Sequence, residues 1–174
     1  MFIILYLLYF DFYKPTIDMS KILNNIYIGS LEDAYNCDII CNVTHILNVA
    51  DELILLNRVY HKYLKLGVND DDEHEDITRI FDNCINWIDD VINVDGGSVL
   101  IHCLEGKSRS VCVCLAYMCI KCSFTIENAL NHIKTVRSCI DVFPFYLEQT
   151  IRYINKQKSP KRKCCSLASL CHFQ

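Results

Sequence analysis

Apolar residues along this chain fall into two alternating patterns. Short dense runs have the length and β-branched content of strands: Ile26-Tyr27-Ile28, His45 to Val49, Tyr60 to Val68, and Val99-Leu100-Ile101. Elsewhere apolar residues recur at helical spacing. Ile77, Ile80, Phe81, Cys84, Ile85, Ile88 and Val91 form one stripe, and Asp95-Gly96-Gly97 ends it and turns the chain into the Val99 strand. Leu31 to Cys37 reads as a short helix and Val111 to Ile120 as a longer apolar one. Ile126, Leu130, Ile133 and Val136 mark the face of a third, N-capped by Thr125, and Phe145 to Lys156 reads as the last. Strands alternating with helices predict an α/β fold. Its core is a central, mostly parallel sheet of about five strands, flanked by helices on both faces.

Composition narrows the class. A chain of 174 residues, 52% hydrophobic and 22% charged, suits one globular domain with a real core. Its formal net charge of -4 argues against general nucleic-acid binding. Twelve cysteines could suggest a disulfide scaffold. However, Cys84, Cys112, Cys114 and Cys119 lie inside apolar runs, where free cysteine packs as a small hydrophobe. Reduced thiols and a cytoplasmic location are therefore expected. Cys119 and Cys122 form a CxxC without a second pair at zinc-ligand spacing, so no metal is expected.

The ends read differently from the middle. Met1 to Phe10 is apolar but far short of the roughly 20 residues that span a bilayer. It lacks the basic start and cleavage site of a signal peptide. It reads as a helix packed on the domain or on a second copy in a homodimer, as a membrane-surface contact, or as residues upstream of a start at Met19. At the other end Lys156, Lys158, Lys161, Arg162 and Lys163 precede Cys164-Cys165, with Cys171 beyond. This reads first as a solvated tail. Basic residues beside paired cysteines also fit reversible palmitoylation and membrane contact. The expected division is an extension at 1–19, a catalytic domain at 20–157 and a tail at 158–174.

The chemistry concentrates in His102-Cys103-Leu104-Glu105-Gly106-Lys107-Ser108-Arg109-Ser110, between a strand and a helix. Loop amides and a helix N-terminus there would face one anion with the Cys103 sulfur beneath it. A free thiol titrates near about 8.5, and such surroundings lower that value, making thiolate available. Arg109 supplies a planar fork for two phosphate oxygens. Gly106 permits the backbone turns that aim successive amides inward. Ser110 can donate its hydroxyl to the thiolate or help a phospho-cysteine leave. His102 is placed to orient the loop by hydrogen bonding. Leu104, Glu105, Gly106, Lys107 and Ser108, with Arg109, would line the bound phosphate.

The HCxxGxxRS pattern, followed by Leu115-Ala116-Tyr117-Met118, resembles the signature of cysteine-dependent protein phosphatases of the dual-specificity branch. The resemblance spans about residues 20 to 157. It includes Ile26-Tyr27-Ile28-Gly29-Ser30 with Ala34, Thr44 to Val49, and Phe124 to Leu130. Arg137, Tyr146, Leu147 and Gln149 fall where the family has R…FLxQL. It implies a phosphorylated protein substrate carrying phosphotyrosine or phosphoserine/phosphothreonine, a phospho-cysteine intermediate and no cofactor. It also implies a general acid after the fourth strand. Counting forward from Tyr63 selects Asp70; counting back from Asp76-Ile77 selects Asp71. Asp70 is preferred because the strand pattern positions it more rigidly, and Asp72 and Glu73 read as solvated. Two rival functions share the scaffold. One is a phosphate reader without turnover, expected to lack the nucleophile or the arginine, and both are present. The other is a phosphoinositide or RNA 5′-phosphate phosphatase, for which Lys107 adds a cation that Glu105 offsets. One departure stands out: the family's Pro-Asn before the last helix is Val142-Phe143 here, so its asparagine brace on the loop is missing or replaced.

Overall fold

The computed structural model describes residues 19–40, 43–52, 62–69 and 75–159, with the backbone alone at 37–40. The Met1–Phe10 run, the tail from Lys161 to Cys171, Tyr60 and the acids Asp70, Asp71, Asp72 and Glu73 lie outside the described residues. Five strands form one sheet: β1 (Ser20–Leu23), β2 (Ile26–Gly29), β3 (His45–Ala50), β4 (Lys62–Val68) and β5 (Val99–His102). Their order is β1-β2-β5-β3-β4. The pairs β2–β5, β5–β3 and β3–β4 run parallel, and β1 is antiparallel to β2. The sequence pattern does not announce β1. It is a four-residue edge strand with one buried side chain, Ile22, too short to show a period.

The helices are α1 (Leu31–Ile40), α2 (Phe81–Asn93), α3 (Arg109–Lys121), α4 (Ile126–Val136) and α5 (Pro144–Lys158). A capping box starts α1. Asp33 accepts from the Ser30 amide and hydroxyl at 2.7 and 3.0 Å, and the Ser30 hydroxyl accepts from the Asp33 amide at 3.1 Å. The stripe predicted from Ile77 opens as a 3-10 turn, Ile77–Ile80, because Asp76 accepts from the Thr78 amide at 2.9 Å and tightens the entry. Thr125 caps α4, accepting from the Asn128 amide at 3.1 Å.

Both faces of the sheet are covered, unequally. Val99 and Ile101 of β5 join the larger core, built with α2, α3, α4 and α5; Leu100, between them, joins a smaller cluster with Ala34 and Ile46 on the α1 side. Helix α3 lies in the middle of the larger core, buried from Arg109 through Cys119, which explains why its sequence is apolar all round. The internal thiols pack there as hydrophobes. Burial pushes Cys84 up to about 12 and raises Cys114 and Cys119 as well. Among the described residues no helix is long and apolar enough to cross a membrane.

The central strand β5 ends in His102, fully buried and paired in register with Gly29 on one side and Asn48 on the other. Its Nδ1 faces the Cys103 carbonyl at 3.1 Å. A carbonyl only accepts, so Nδ1 carries the proton. Desolvation depresses the imidazole to about 4, outweighing the Cys103 carbonyl and the Asp33 charge, which both favour protonation. The folded state thus keeps His102 neutral where the unfolded chain, titrating near 6.5, takes up a proton. Stability from this group is complete above pH 6.5 and falls as pH drops toward 4, by about 2 kcal/mol at pH 5. Urea unfolding of the wild type between pH 7.5 and 5 should show this slope, and His102→Asn should flatten it. An equal slope in both proteins would assign the dependence to other groups.

Candidate active site

The chain leaves the carboxyl end of β5 at Cys103 and enters α3 at Arg109, where ligands bind on open parallel sheets. Every carbonyl of residues 103–107 is taken up from outside the loop. Cys103 accepts from His102 Nδ1 at 3.1 Å, and Leu104 from the Leu31 amide at 2.9 Å. Glu105 accepts from Arg137 Nη2 at 3.3 Å, Gly106 from Arg137 Nε at 2.8 Å, and Lys107 from the Asp141 amide at 3.1 Å. The amides of residues 104–108 donate to no acceptor among the described residues. A loop whose carbonyls all point out turns its N–H groups inward, forming an anion cradle at a helix N-terminus.

Two glycines make the arrangement sterically feasible. Gly106 has φ +70°, and a Cβ there would run into the Gly29 carbonyl and the Arg137 guanidinium. Gly67, near the end of β4, lets Asp51 approach so closely that a Cβ would overlap the Asp51 backbone. That approach brings the next residue, Glu52, to the loop.

Cys103 is buried, with Sγ 3.4 Å from the Ser110 hydroxyl on the first turn of α3. Arg109 is 1% exposed, and Glu52 grips its fork with both oxygens, at 2.7 Å to Nη1 and 2.6 Å to Nη2. Nη1 also donates to the Val68 carbonyl at 2.8 Å. Partial burial works against the Glu52 charge, but its bonds to Arg109 prevail and hold its carboxyl below the ordinary range. Glu52 escaped the sequence reading. The available signal was a carboxylate just past the carboxyl end of a fully buried strand.

The loop's outer side chains largely satisfy one another. Lys107 Nζ lies 2.5 Å from Glu105 Oε2, and that bond raises the lysine above its usual range. Ser108 accepts from the Phe143 amide at 3.2 Å. With no asparagine at Val142-Phe143, the loop is held on this side by the main-chain donors at Asp141 and Phe143 and by Arg137, which stands where the family also has arginine. Arg137 is 3% exposed and also donates to the Ser20 hydroxyl at 3.3 Å.

Helix α5 anchors the chain on both sides of residues 70–74. Tyr146, fully buried, donates its hydroxyl to the Asn69 carbonyl at 2.8 Å. Gln149 donates to the Glu75 carbonyl at 3.1 Å and accepts from the Ile77 amide at 3.0 Å. Arg79 ties in Gly67 through its carbonyl at 2.8 Å and pairs with Glu75. The FLxQL-like residues thus hold Asn69 and Glu75, the described residues that flank Asp70 and Asp71.

Comparison with known proteins agrees with this geometry. The family model described as "Dual specificity phosphatase, catalytic domain" matches residues 26–158. "Dual specificity protein phosphatase 1" of Arabidopsis thaliana is 39% identical over 120 residues, covering 68% of this chain and 60% of that protein. "Dual specificity protein phosphatase 1B" of the same plant is 34% identical over 134 residues, covering 76% and 79%. A crystal structure of DUSP15 superimposes with TM-score 0.71 at 28% identity, covering 78% of this chain and 86% of that one. The match spans most of the described fold, with the Cys103–Arg109 loop inside it, and the chain belongs to the dual specificity phosphatase catalytic-domain family.

Proposed function

We propose that this chain hydrolyses phosphate monoesters on the tyrosine, serine and threonine side chains of proteins, through a phospho-cysteine intermediate. The observation that carries this reading is the cradle over a buried sulfur: five carbonyls of residues 103–107 held outward around Cys103, with the buried Arg109 at the loop's end. In the first step the Cys103 thiolate attacks phosphorus and the P–O ester bond breaks. The loop amides and Arg109 hold the equatorial oxygens, and Asp70 protonates the leaving oxygen. In the second step the Asp70 carboxylate takes a proton from water, whose oxygen attacks phosphorus. The P–S bond breaks, releasing phosphate and the thiolate, which the Ser110 hydroxyl stabilises. Leu104 to Ser108 contribute the cradle, and His102 orients it through the Cys103 carbonyl. The pairing of Lys107 with Glu105 leaves the loop little free positive charge for a polyanionic headgroup, which favours protein substrates over phosphoinositides. A thiolate nucleophile suits the reducing cytoplasm.

Cys103→Ser should abolish turnover of a phosphotyrosine peptide while retaining phosphate binding by calorimetry; comparable hydrolysis by that variant would sink the mechanism. Asp70→Ala should lower kcat about 10²-fold or more on phosphothreonine peptide and least on p-nitrophenyl phosphate, whose leaving group needs no proton. If Asp71→Ala alone has that effect, the acid is one residue further on. Arg137→Met should reduce kcat/KM about tenfold by loosening the cradle and lower unfolding stability by about 2 kcal/mol. Unchanged kinetics in Arg137→Met would mean that the Asp141 and Phe143 amides hold the loop without it.

A further inference from the structure

Phe143 and Leu104 are large apolar side chains left substantially exposed, at 41% and 44%. Both adjoin the phosphate cradle. Leu104 directly follows the nucleophile, and the Phe143 amide bonds Ser108 at the cradle's other edge. The Phe143 ring packs on two aromatic neighbours. It stacks on Phe145, centroids 5.7 Å apart and planes 10° from parallel, and contacts Tyr146 at 6.2 Å. Tyr146 in turn secures Asn69, the residue before the acid-bearing segment. Phe143 is thus tied by its backbone to the cradle and by its ring, through Tyr146, to the entry of the acid segment. A substrate's leaving oxygen must reach both Cys103 and the acid, so the group it carries passes between these two parts.

We infer that Phe143, with the exposed Leu104 next to the nucleophile, is a specificity-determining wall that takes the ring of phosphotyrosine. The inference rests on the proposed phosphatase reading and goes beyond it in ranking the substrates. A phenyl ester projects a flat apolar ring past the cradle, which can stack on the open part of Phe143; phosphoserine and phosphothreonine bring only a short aliphatic stem. The paired Lys107 and Glu105 add no free charge that would oppose an apolar group there. Aromatic pairs contribute about 0.5–1.5 kcal/mol beyond area, which corresponds to about 2- to 12-fold in selectivity. The residue occupies the place of the family's asparagine, so the preference belongs to this chain and not to the scaffold.

The test compares kcat/KM on phosphotyrosine and phosphothreonine peptides with identical flanking residues, for the wild type, Phe143→Ala, Phe143→Leu and Phe143→Trp. Phe143→Ala should lower the phosphotyrosine-to-phosphothreonine ratio about 3- to 10-fold, mainly through KM on the phosphotyrosine peptide. Phe143→Leu, which keeps bulk but loses the ring, should fall between, and Phe143→Trp should retain the wild-type ratio. If the alanine variant does not fold, the leucine and tryptophan variants carry the comparison. An unchanged ratio, or equal losses on both peptides, would overturn the inference while leaving the phosphatase reading intact. Absence of wild-type turnover on both peptides would overturn that reading and this inference with it.

Discussion

A loop that aims five successive amides at one point must find an outside partner for each carbonyl it turns away, and the rest of this structure is arranged around that demand. Buried carbonyls left without partners would cost more than the loop could recover. The partners come from four places: His102 on β5, the Leu31 amide opening α1, Arg137 beyond α4, and the Asp141 amide before α5. Residues distant in sequence converge on five positions of chain. The cradle is therefore a property of the whole domain, and it exists only when the helices on both faces of the sheet are docked.

The same economy governs the charged groups. Arg109 is nearly inaccessible, and a buried guanidinium needs a geometrically good partner. Glu52 provides one in bidentate form, carried to the spot because Gly67 lets the turn after β3 lie against the end of β4. A fork held in plane by one carboxylate and the Val68 carbonyl is oriented before any ligand arrives. The internal cysteines show the opposite treatment. Cys84 and Cys114 sit in apolar surroundings that keep them protonated, whereas Cys103 follows β5 in the loop before α3, its Sγ beside the Ser110 hydroxyl.

Helix α5 links the Cys103–Arg109 loop to the chain on either side of residues 70–74. The residues just before it, Asp141 and Phe143, brace Lys107 and Ser108. Within its first two turns, Tyr146 and Gln149 hold Asn69 and Glu75, on either side of residues 70–74. A change in how this helix docks would therefore shift the loop, Asn69 and Glu75 together.

By itself the sequence determined the alternation of strands and helices, the buried central helix, the phosphate-loop composition and the identities of Cys103 and Arg109. These are legible because periodicity and residue chemistry act over a few neighbouring positions. Strand β1 stayed hidden because a four-residue edge strand with one buried side chain has no period to read. Only the tertiary structure decided that Glu52 sets the arginine, that Arg137 and the Asp141 and Phe143 amides hold the loop, and that Phe143 is left exposed beside it. Glu52 lies 57 residues from Arg109, and Arg137 lies 31 from Gly106, so no local pattern could join them. Such contacts arise from the packing of elements against the sheet, where the partner of a buried polar group is chosen by proximity in space and not by place in the chain.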